Sequence, residues 1–200
     1  VTRIGNSPDY PDRIFIAGKV GVSRSENFGQ SWQDVDLTTG WGYSGVSHVE
    51  VSGANPDVVW AGCRMNATSR VFVSTDGGIT FKATNGYSVP LGNLSGLATH
   101  PSRPSTAFAL FSFAGSPKIL RTDNLGESWV DISGYSGTSA GFPDVAVYSL
   151  LVTDTIPETL WAGTEIGLFI SEDNGKSWWY SDNGLPSVSI WDMKRKGRQV

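Results

Sequence analysis

The chain contains the octapeptide Ser171-Glu172-Asp173-Asn174-Gly175-Lys176-Ser177-Trp178, and three earlier segments follow the same pattern. The pattern is Ser or Thr, any residue, Asp or Asn, any residue, Gly, any residue, Ser or Thr, and an aromatic residue. The earlier copies are residues 25–32, 74–81 and 122–129. The closing aromatic residues lie 49, 48 and 49 residues apart. Five constrained positions at a near-constant period indicate an internal repeat rather than chance.

A second motif precedes each octapeptide. Val58-Val59-Trp60-Ala61-Gly62 is matched by residues 13–18 and 159–163, and residues 106–110 form a degenerate copy. A proline comes shortly before each copy: Pro11, Pro56, Pro104 and Pro157. Proline fits the turn before a strand rather than the middle of a strand. Short β-rich runs between turn residues, without helical periodicity, predict an all-β chain.

The spacing within the last repeat predicts four strands, with A at residues 145–152, B at 159–163, C at 167–171 and D at 177–180. Four antiparallel strands in a unit of about 40–50 residues are typical of a β-propeller blade. The octapeptide then forms the turn between strands C and D. Its glycine supplies a positive φ, its Asp or Asn accepts backbone N–H groups, and its aromatic residue packs against the blade.

We expect residues 1–200 to form a single β-propeller segment without a second domain. The four blades are predicted at about residues 1–36, 45–84, 92–132 and 144–181, and a further blade is predicted to begin near residue 187. Propellers commonly have about 4–8 blades. Because an open arc of blades would expose a sheet edge, we expect this segment to be part of a larger propeller.

These motifs resemble the Asp-box, or BNR, repeat, and the resemblance covers nearly the whole chain. The family includes sialidases, xyloglucanase-type glycosidases, sortilin-type receptors and photosystem II assembly factors. The ending, residues 184–193, is similar to the start of another blade in sortilin-like bacterial proteins. The resemblance implies a secreted or cell-surface bacterial protein, in some members exported by type IX secretion machinery. It assigns a structural role to the Asp-box residues Ser25, Asn27, Gly29, Trp32, Ser74, Asp76, Gly78, Phe81, Thr122, Asn124, Gly126, Trp129, Ser171, Asp173, Gly175 and Trp178.

Composition and charge narrow the classes of partner. The net charge of −4 gives no reason to expect a nucleic-acid partner. No apolar run approaches the roughly 20 residues that a membrane helix needs, so membrane insertion is not expected. Cys63 is the single cysteine, which excludes an internal disulfide. The chain begins with Val1 and carries no recognisable signal peptide, so we expect a processed form or a fragment.

The acidic octapeptides raise the alternative of a calcium or catalytic site. Local turn bonding already accounts for their residue types. Asp173-Asn174-Gly175 lacks the remaining ligands and the terminal Glu of a calcium loop. His48 and His100 are predicted at opposite ends of inner strands and cannot share a metal. We therefore expect no metal site and no cofactor.

The candidate ligand-binding residues lie on one predicted face of the propeller. In an up-and-down blade the C–D and A–B turns share one face, and the D–A and B–C connections share the other. In this family the ligand mouth is usually on the second face. Its candidates are the aromatic residues of the D–A connections and one arginine of a B–C loop: Trp41, Tyr43, Tyr87, Tyr135 and Arg64. Such a face can stack a sugar ring or bind a peptide, or its aromatic residues can simply pack the loops.

Catalysis is the competing hypothesis. Glycoside hydrolysis needs two carboxyl groups about 5–10 Å apart, and Asp144 and Glu165 are the candidates on this face. The alternative is that both are solvated loop acids. Arg3-Ile4-Gly5 does not match the Arg-Ile-Pro motif of sialidases, which disfavours that activity. The leading hypothesis is a non-catalytic extracellular module that binds a glycan or protein. The alternatives are part of a carbohydrate-active hydrolase and a structural or assembly-factor propeller.

Overall fold

The computed structural model describes residues 3–37, 45–65, 70–89, 91–135 and 141–194. All regular structure within these ranges is β, and no helix there is long and apolar enough to cross a membrane. The strands form four antiparallel sheets. The all-β prediction is therefore confirmed.

The first two sheets each contain four strands. The first consists of β1 (Ile4–Ser7), β2 (Tyr10–Gly18), β3 (Gly21–Ser25) and β4 (Gln33–Asp36). The second consists of β5 (His48–Val51), β6 (Val59–Gly62), β8 (Phe72–Ser74) and β9 (Lys82–Ala83). The short strand β7 (Arg64–Met65) follows β6 in the chain but pairs with a strand of the third sheet.

The last two sheets repeat this order. The third consists of β10 (Gly92–Thr99), β11 (Ala107–Phe111), β12 (Ile119–Thr122) and β13 (Val130–Asp131), with β7 added beside β10. The fourth consists of β14 (Val147–Val152), β15 (Leu160–Thr164), β16 (Gly167–Ser171) and β17 (Trp179–Tyr180). Each strand of the last repeat begins and ends within two residues of its predicted position.

Every octapeptide builds the same hydrogen-bonded turn. The Ser or Thr hydroxyl accepts the N–H of the glycine four residues later at 2.8–2.9 Å in all four copies. The Asp or Asn Oδ1 accepts the N–H of the second Ser or Thr at 2.8–3.0 Å. The residue before the glycine has a positive φ in every copy: Phe28, Gly77, Leu125 and Asn174. The Asp or Asn side chain of each octapeptide therefore bonds within its own turn.

The octapeptides lie on the same face as the A–B turns. The residue with positive φ donates its N–H to the carbonyl of the residue that follows the conserved proline. Examples are Gly77 to Asp57 at 2.9 Å and Leu125 to Ser105 at 3.1 Å. We call this face the box face. The opposite loop face carries the B–C and D–A connections, which contact each other where the Glu165 carboxylate accepts the Ala146 N–H at 3.0 Å.

Three apolar clusters fill the interfaces between successive blades. Phe15 packs with Val49 and Phe72 between the first and second blades. Trp60 and Trp129 join the second to the third, and Phe108 and Trp178 join the third to the fourth. The octapeptide aromatic residue of each later blade thus packs against the blade before it. Trp32, in the first blade, is 40% exposed.

The innermost strands β1, β5, β10 and β14 lie side by side. Between them is a cavity of about 280 Å³, which we call the channel. The segment near the predicted start of a further blade runs beside β14. Ile190 donates its N–H to Thr164 at 2.9 Å, and Trp191 stacks on Tyr148 with ring centroids 4.0 Å apart. None of its described residues forms a strand.

Candidate ligand-binding site

An ion pair between a buried lysine and a half-exposed aspartate anchors the loop face at the third blade. Lys118 precedes β12, and its side chain is almost completely buried. Its Nζ lies 2.6 Å from Asp144 Oδ1 and also donates to the carbonyl of Phe113. Asp144 accepts the Gly115 N–H at 3.0 Å through its other oxygen. A buried ammonium requires such partners, so this pair fixes the D–A connection on the B–C loop.

Two exposed aromatic residues lie on the loops that this ion pair joins. Tyr135 is 41% exposed, and Lys118 Nζ lies 5.9 Å from its ring centroid. The Asp131 carboxylate accepts the Tyr135 N–H at 3.1 Å and so holds the turn that carries the ring. Phe113 is 53% exposed and lies over Gly92 of β10, where an added Cβ would come within 2.7 Å of the ring. We call Phe113, Lys118, Tyr135 and Asp144 the loop-face cluster.

Two other predicted ligand-binding residues border this cluster. Tyr87 is partly buried against the apolar cluster of the second and third blades. Its pKa is raised by burial and by the charge of Asp131. Arg64 donates from Nε to Asn93 Oδ1 at 2.9 Å, and β7 pairs with residues 92 and 93 of β10. The remaining candidates, Trp41 and Tyr43, lie outside the described residues.

The two candidate catalytic carboxylates each have structural partners. The hydrogen bond from Lys118 is the largest cause that lowers the Asp144 pKa, followed by the hydrogen bond from Gly115. A carboxyl group with a lowered pKa is ionised at neutral pH and is poorly suited to act as a general acid. Glu165 accepts the Ala146 N–H and holds the same D–A connection. The two acids therefore stabilise the loops around the cluster.

The channel contains titratable residues that the sequence analysis did not select. His48 and Glu50 alternate along β5 with Val49 and Val51, whose side chains are buried between blades. Burial raises the pKa of Glu50 to about 7, while the charges of Lys194 and Arg3 act in the opposite direction. Burial also lowers the pKa of His48 to about 4. The sequence carries a signal for this pair, because residues two apart in a strand, such as His48 and Glu50, point to the same side.

The acidic side chains of the turns bond within their own turns. Asp76 accepts hydrogen bonds from the hydroxyl groups of Ser74 and Thr80, and the pKa of Asp76 is lowered to about 2, chiefly by the Thr80 bonds. The ionised carboxylate thus stabilises its own turn. Within the described ranges, no three His, Cys, Asp or Glu side chains form a group that could hold a metal ion.

Comparison with known proteins identifies the repeat directly. The family model of the BNR/Asp-box repeat matches residues 72–83, which contain the second octapeptide. No curated protein sequence matches the chain.

Several solved structures share the fold. The GH74 xyloglucanase from Xanthomonas campestris aligns with a TM-score of 0.70 and 23% identity over 94% of this chain and 31% of that chain. The GH74 enzyme from Niastella koreensis aligns with a TM-score of 0.65 and 13% identity over 90% and 30%. YCF48 bound to a D1 peptide aligns with a TM-score of 0.59 and 13% identity over 90% and 55%.

These similarities establish the fold alone, because sequence identities of 13–23% do not carry over a function. The chain spans about a third of the length of the GH74 enzymes and about half of the YCF48 chain. The neighbours act on different ligands, so the chemistry of the site has to be argued from its own residues.

Proposed function

We propose that this chain, a BNR-type β-propeller, is a non-catalytic module that binds a glycan on its loop face. The observation that carries the proposal is that two exposed rings, Phe113 and Tyr135, belong to the loops that are joined by the ion pair of the buried Lys118 with Asp144. A location outside the cell, expected from the family resemblance, is part of this proposal.

The loop-face cluster combines the two elements that sugar recognition needs. An aromatic ring buries the apolar C–H face of a pyranose, and fixed polar groups bind its hydroxyl groups. Asp144 remains partly exposed beside Tyr135, and its oxygens retain lone pairs beyond those bound to Lys118 and Gly115. Because the ion pair already holds these groups in place, little conformational entropy is lost on binding.

The carboxylates support binding rather than hydrolysis at this face. A glycosidase requires one carboxylic acid that keeps its proton until the glycosidic oxygen takes it. The lowered pKa of Asp144 opposes that role, and Glu165 is committed to a backbone N–H. Both groups hold the loops that carry the aromatic rings.

The GH74 neighbours favour a second candidate, in which this chain is part of a larger glycosidase-like propeller. The xyloglucanase activity of one of them supports a glycan as the ligand class, and the chain spans only part of their length. In that case the catalytic carboxylates would include groups outside this chain. The YCF48 complex with a D1 peptide favours a protein ligand instead.

Isothermal titration with a xyloglucan heptasaccharide tests the proposal. We expect Tyr135→Ala and Phe113→Ala each to weaken binding by about tenfold or more, since each removes a stacking surface. Trp179→Ala is the matched control, because Trp179 is an equally exposed ring on the outer strand β17. Unchanged affinity in the double variant Phe113→Ala/Tyr135→Ala would contradict the site. Binding of the D1 peptide in place of the sugar would favour the protein-ligand alternative.

A further inference from the structure

We propose that the channel is a second sugar-binding site, which holds one neutral sugar unit against Trp191 and binds its hydroxyl groups through Glu50. The inference takes its ligand class from the proposed function, but it concerns different residues. Its site lies between the inner strands β1, β5, β10 and β14, and the loop-face cluster does not line it.

The size of the channel fits a small ring. Its volume is about 280 Å³. Pockets for drug-sized ligands begin at about 300 Å³, so this cavity suits a ligand of one ring. Polar side chains such as Glu50 and Thr99 line it, and β1, β5 and β14 are edge strands of their sheets. An unpaired strand edge supplies N–H groups that donate to hydroxyl oxygens and C=O groups that accept from hydroxyl hydrogens.

Trp191 provides the stacking surface. One face of its indole stacks on Tyr148, with ring centroids 4.0 Å apart and planes at 15°. The side chain is nevertheless 63% exposed, so the other face is available to a ligand. Stacking on Tyr148 fixes the orientation of the indole before any ligand arrives. An oriented aromatic face of this kind is what the apolar side of a sugar ring requires.

The charges around Glu50 favour a neutral ligand. Arg3 precedes β1 and is positive, and Lys194 is positive but lies 3.8 Å from Asp192. His48, on the same strand as Glu50, has a pKa lowered to about 4 and is neutral near pH 7. Tyr148 is the titratable group that β14 adds to the lining, and β10 adds none. Charges of both signs thus surround the cavity, which suits a ligand rich in donors and acceptors over an ion of one sign.

The same geometry predicts how affinity depends on pH. A sugar that displaces water from the channel strengthens the burial of Glu50 and therefore favours its protonated form. Binding then takes up a proton, and affinity rises as pH falls through 7. His48, whose pKa is lowered to about 4, stays neutral over this range, so Glu50 is the group on β5 that responds.

Titrations with cellobiose at pH 6 and pH 8 test the inference, with the xyloglucan heptasaccharide as a second probe. For the wild-type protein we expect affinity for cellobiose to be three- to tenfold higher at pH 6. Glu50→Gln should abolish this pH dependence, and Trp191→Ala should weaken binding at least tenfold while Trp191→Phe retains most of it. Because Trp191 is 63% exposed, thermal melting should be nearly unchanged in the two Trp191 variants.

The outcomes separate this inference from the proposed function. If the heptasaccharide binds and depends on Tyr135, while Trp191→Ala and Glu50→Gln bind both probes like the wild type, the channel site is overturned and the loop-face site stands. If Trp191→Ala loses cellobiose binding and Glu50→Gln loses the pH dependence, while Tyr135→Ala changes neither, the channel site is supported independently of the loop face. If neither sugar binds the wild type at either pH, both proposals fail.

Discussion

Trp129 of the third blade packs edge-on against Trp60 of the second, with ring centroids 6.1 Å apart and planes at 72°. Trp129 closes an octapeptide, and Trp60 lies at the centre of the strand motif that precedes the previous octapeptide. The two motifs of the repeat therefore meet across a blade interface. This contact accounts for the near-constant spacing of the octapeptides along the chain. Each blade must place its octapeptide aromatic residue against the strand motif of the blade before it.

The first prediction compares two tryptophans at the same position of the repeat. Trp129→Ala should destabilise the fold by about 3–5 kcal/mol, because it empties a closed interface. Trp32→Ala should cost about 1 kcal/mol or less, because Trp32 is 40% exposed and Trp129 only 7%. Urea unfolding of both variants measures the difference. Equal losses of stability would contradict the packing described for the blades.

The second prediction concerns the acidic side chain of the turn. Asp76→Ala should cost about 1–2 kcal/mol, since it removes the acceptor of several turn hydrogen bonds. Asp76→Asn is the matched control and should stay near wild type at pH 7. The first octapeptide shows why: Asn27 Oδ1 accepts the Ser31 N–H at 2.8 Å, and Nδ2 donates to the Ser31 hydroxyl at 2.9 Å.

The same pair of variants tests the pKa of Asp76. The pKa of Asp76 is about 2 in the folded protein and 3.8 in the unfolded chain, so the ionised carboxylate stabilises the fold above pH 3.8. This contribution falls as the pH drops through 2. Unfolding curves between pH 2 and pH 5 should show this pH-dependent loss of stability in the wild type but not in Asp76→Asn. Identical pH profiles would mean that the turn does not depend on the ionised form.

The third prediction separates backbone strain from steric contact. Gly126 and Gly184 both have a φ near +80°, which disfavours an L side chain. An added Cβ at Gly126 would lie 2.2 Å from Thr84 Cγ2, whereas no atom lies within 4 Å at Gly184. Gly184→Ala should therefore cost about 1 kcal/mol and Gly126→Ala about 3 kcal/mol. Thermal denaturation that ranks the two variants in the reverse order would contradict the interface between the second and third blades.

The fourth prediction concerns Glu50. Its pKa is 4.5 in the unfolded chain and about 7 in the fold, so the folded protein holds a proton that the unfolded protein releases. The free energy of unfolding should therefore fall as the pH rises from 4.5 to 7. Glu50→Gln should remove this slope and stabilise the protein above pH 7 by about 1–3 kcal/mol. A slope that persists in Glu50→Gln would assign the titration to another group.

The architecture was predictable from the sequence because its signals are local. Gly126 turns its octapeptide, the Asn124 side chain bonds within four residues, and Pro104 stands before its strand. Each of these restricts the backbone of its immediate neighbourhood. The faces of the blades follow from strand order alone, so the loop face and the box face were also predictable.

The site was only partly predictable because it depends on contacts between distant segments. Tyr135 and Asp144 were selected as loop residues, but Lys118, which contacts both, directly precedes the strand β12. Nothing in its neighbouring residues indicates that it is buried. Glu50 faces the channel through the alternation of β5, whereas its pKa depends on how deeply the other inner strands bury it. Such burial is a property of the assembled fold.

The central claim is that a glycan binds at the loop-face cluster. An NMR titration of the ¹⁵N-labelled protein with the xyloglucan heptasaccharide tests it most directly, because each amide reports its own surroundings. We expect the largest saturable shift changes at the amides of Gly115, Tyr135 and Asp144, with the octapeptide amides of Gly78 and Gly126 unchanged. Saturable changes confined to the box face, or none anywhere at millimolar sugar, would contradict the claim.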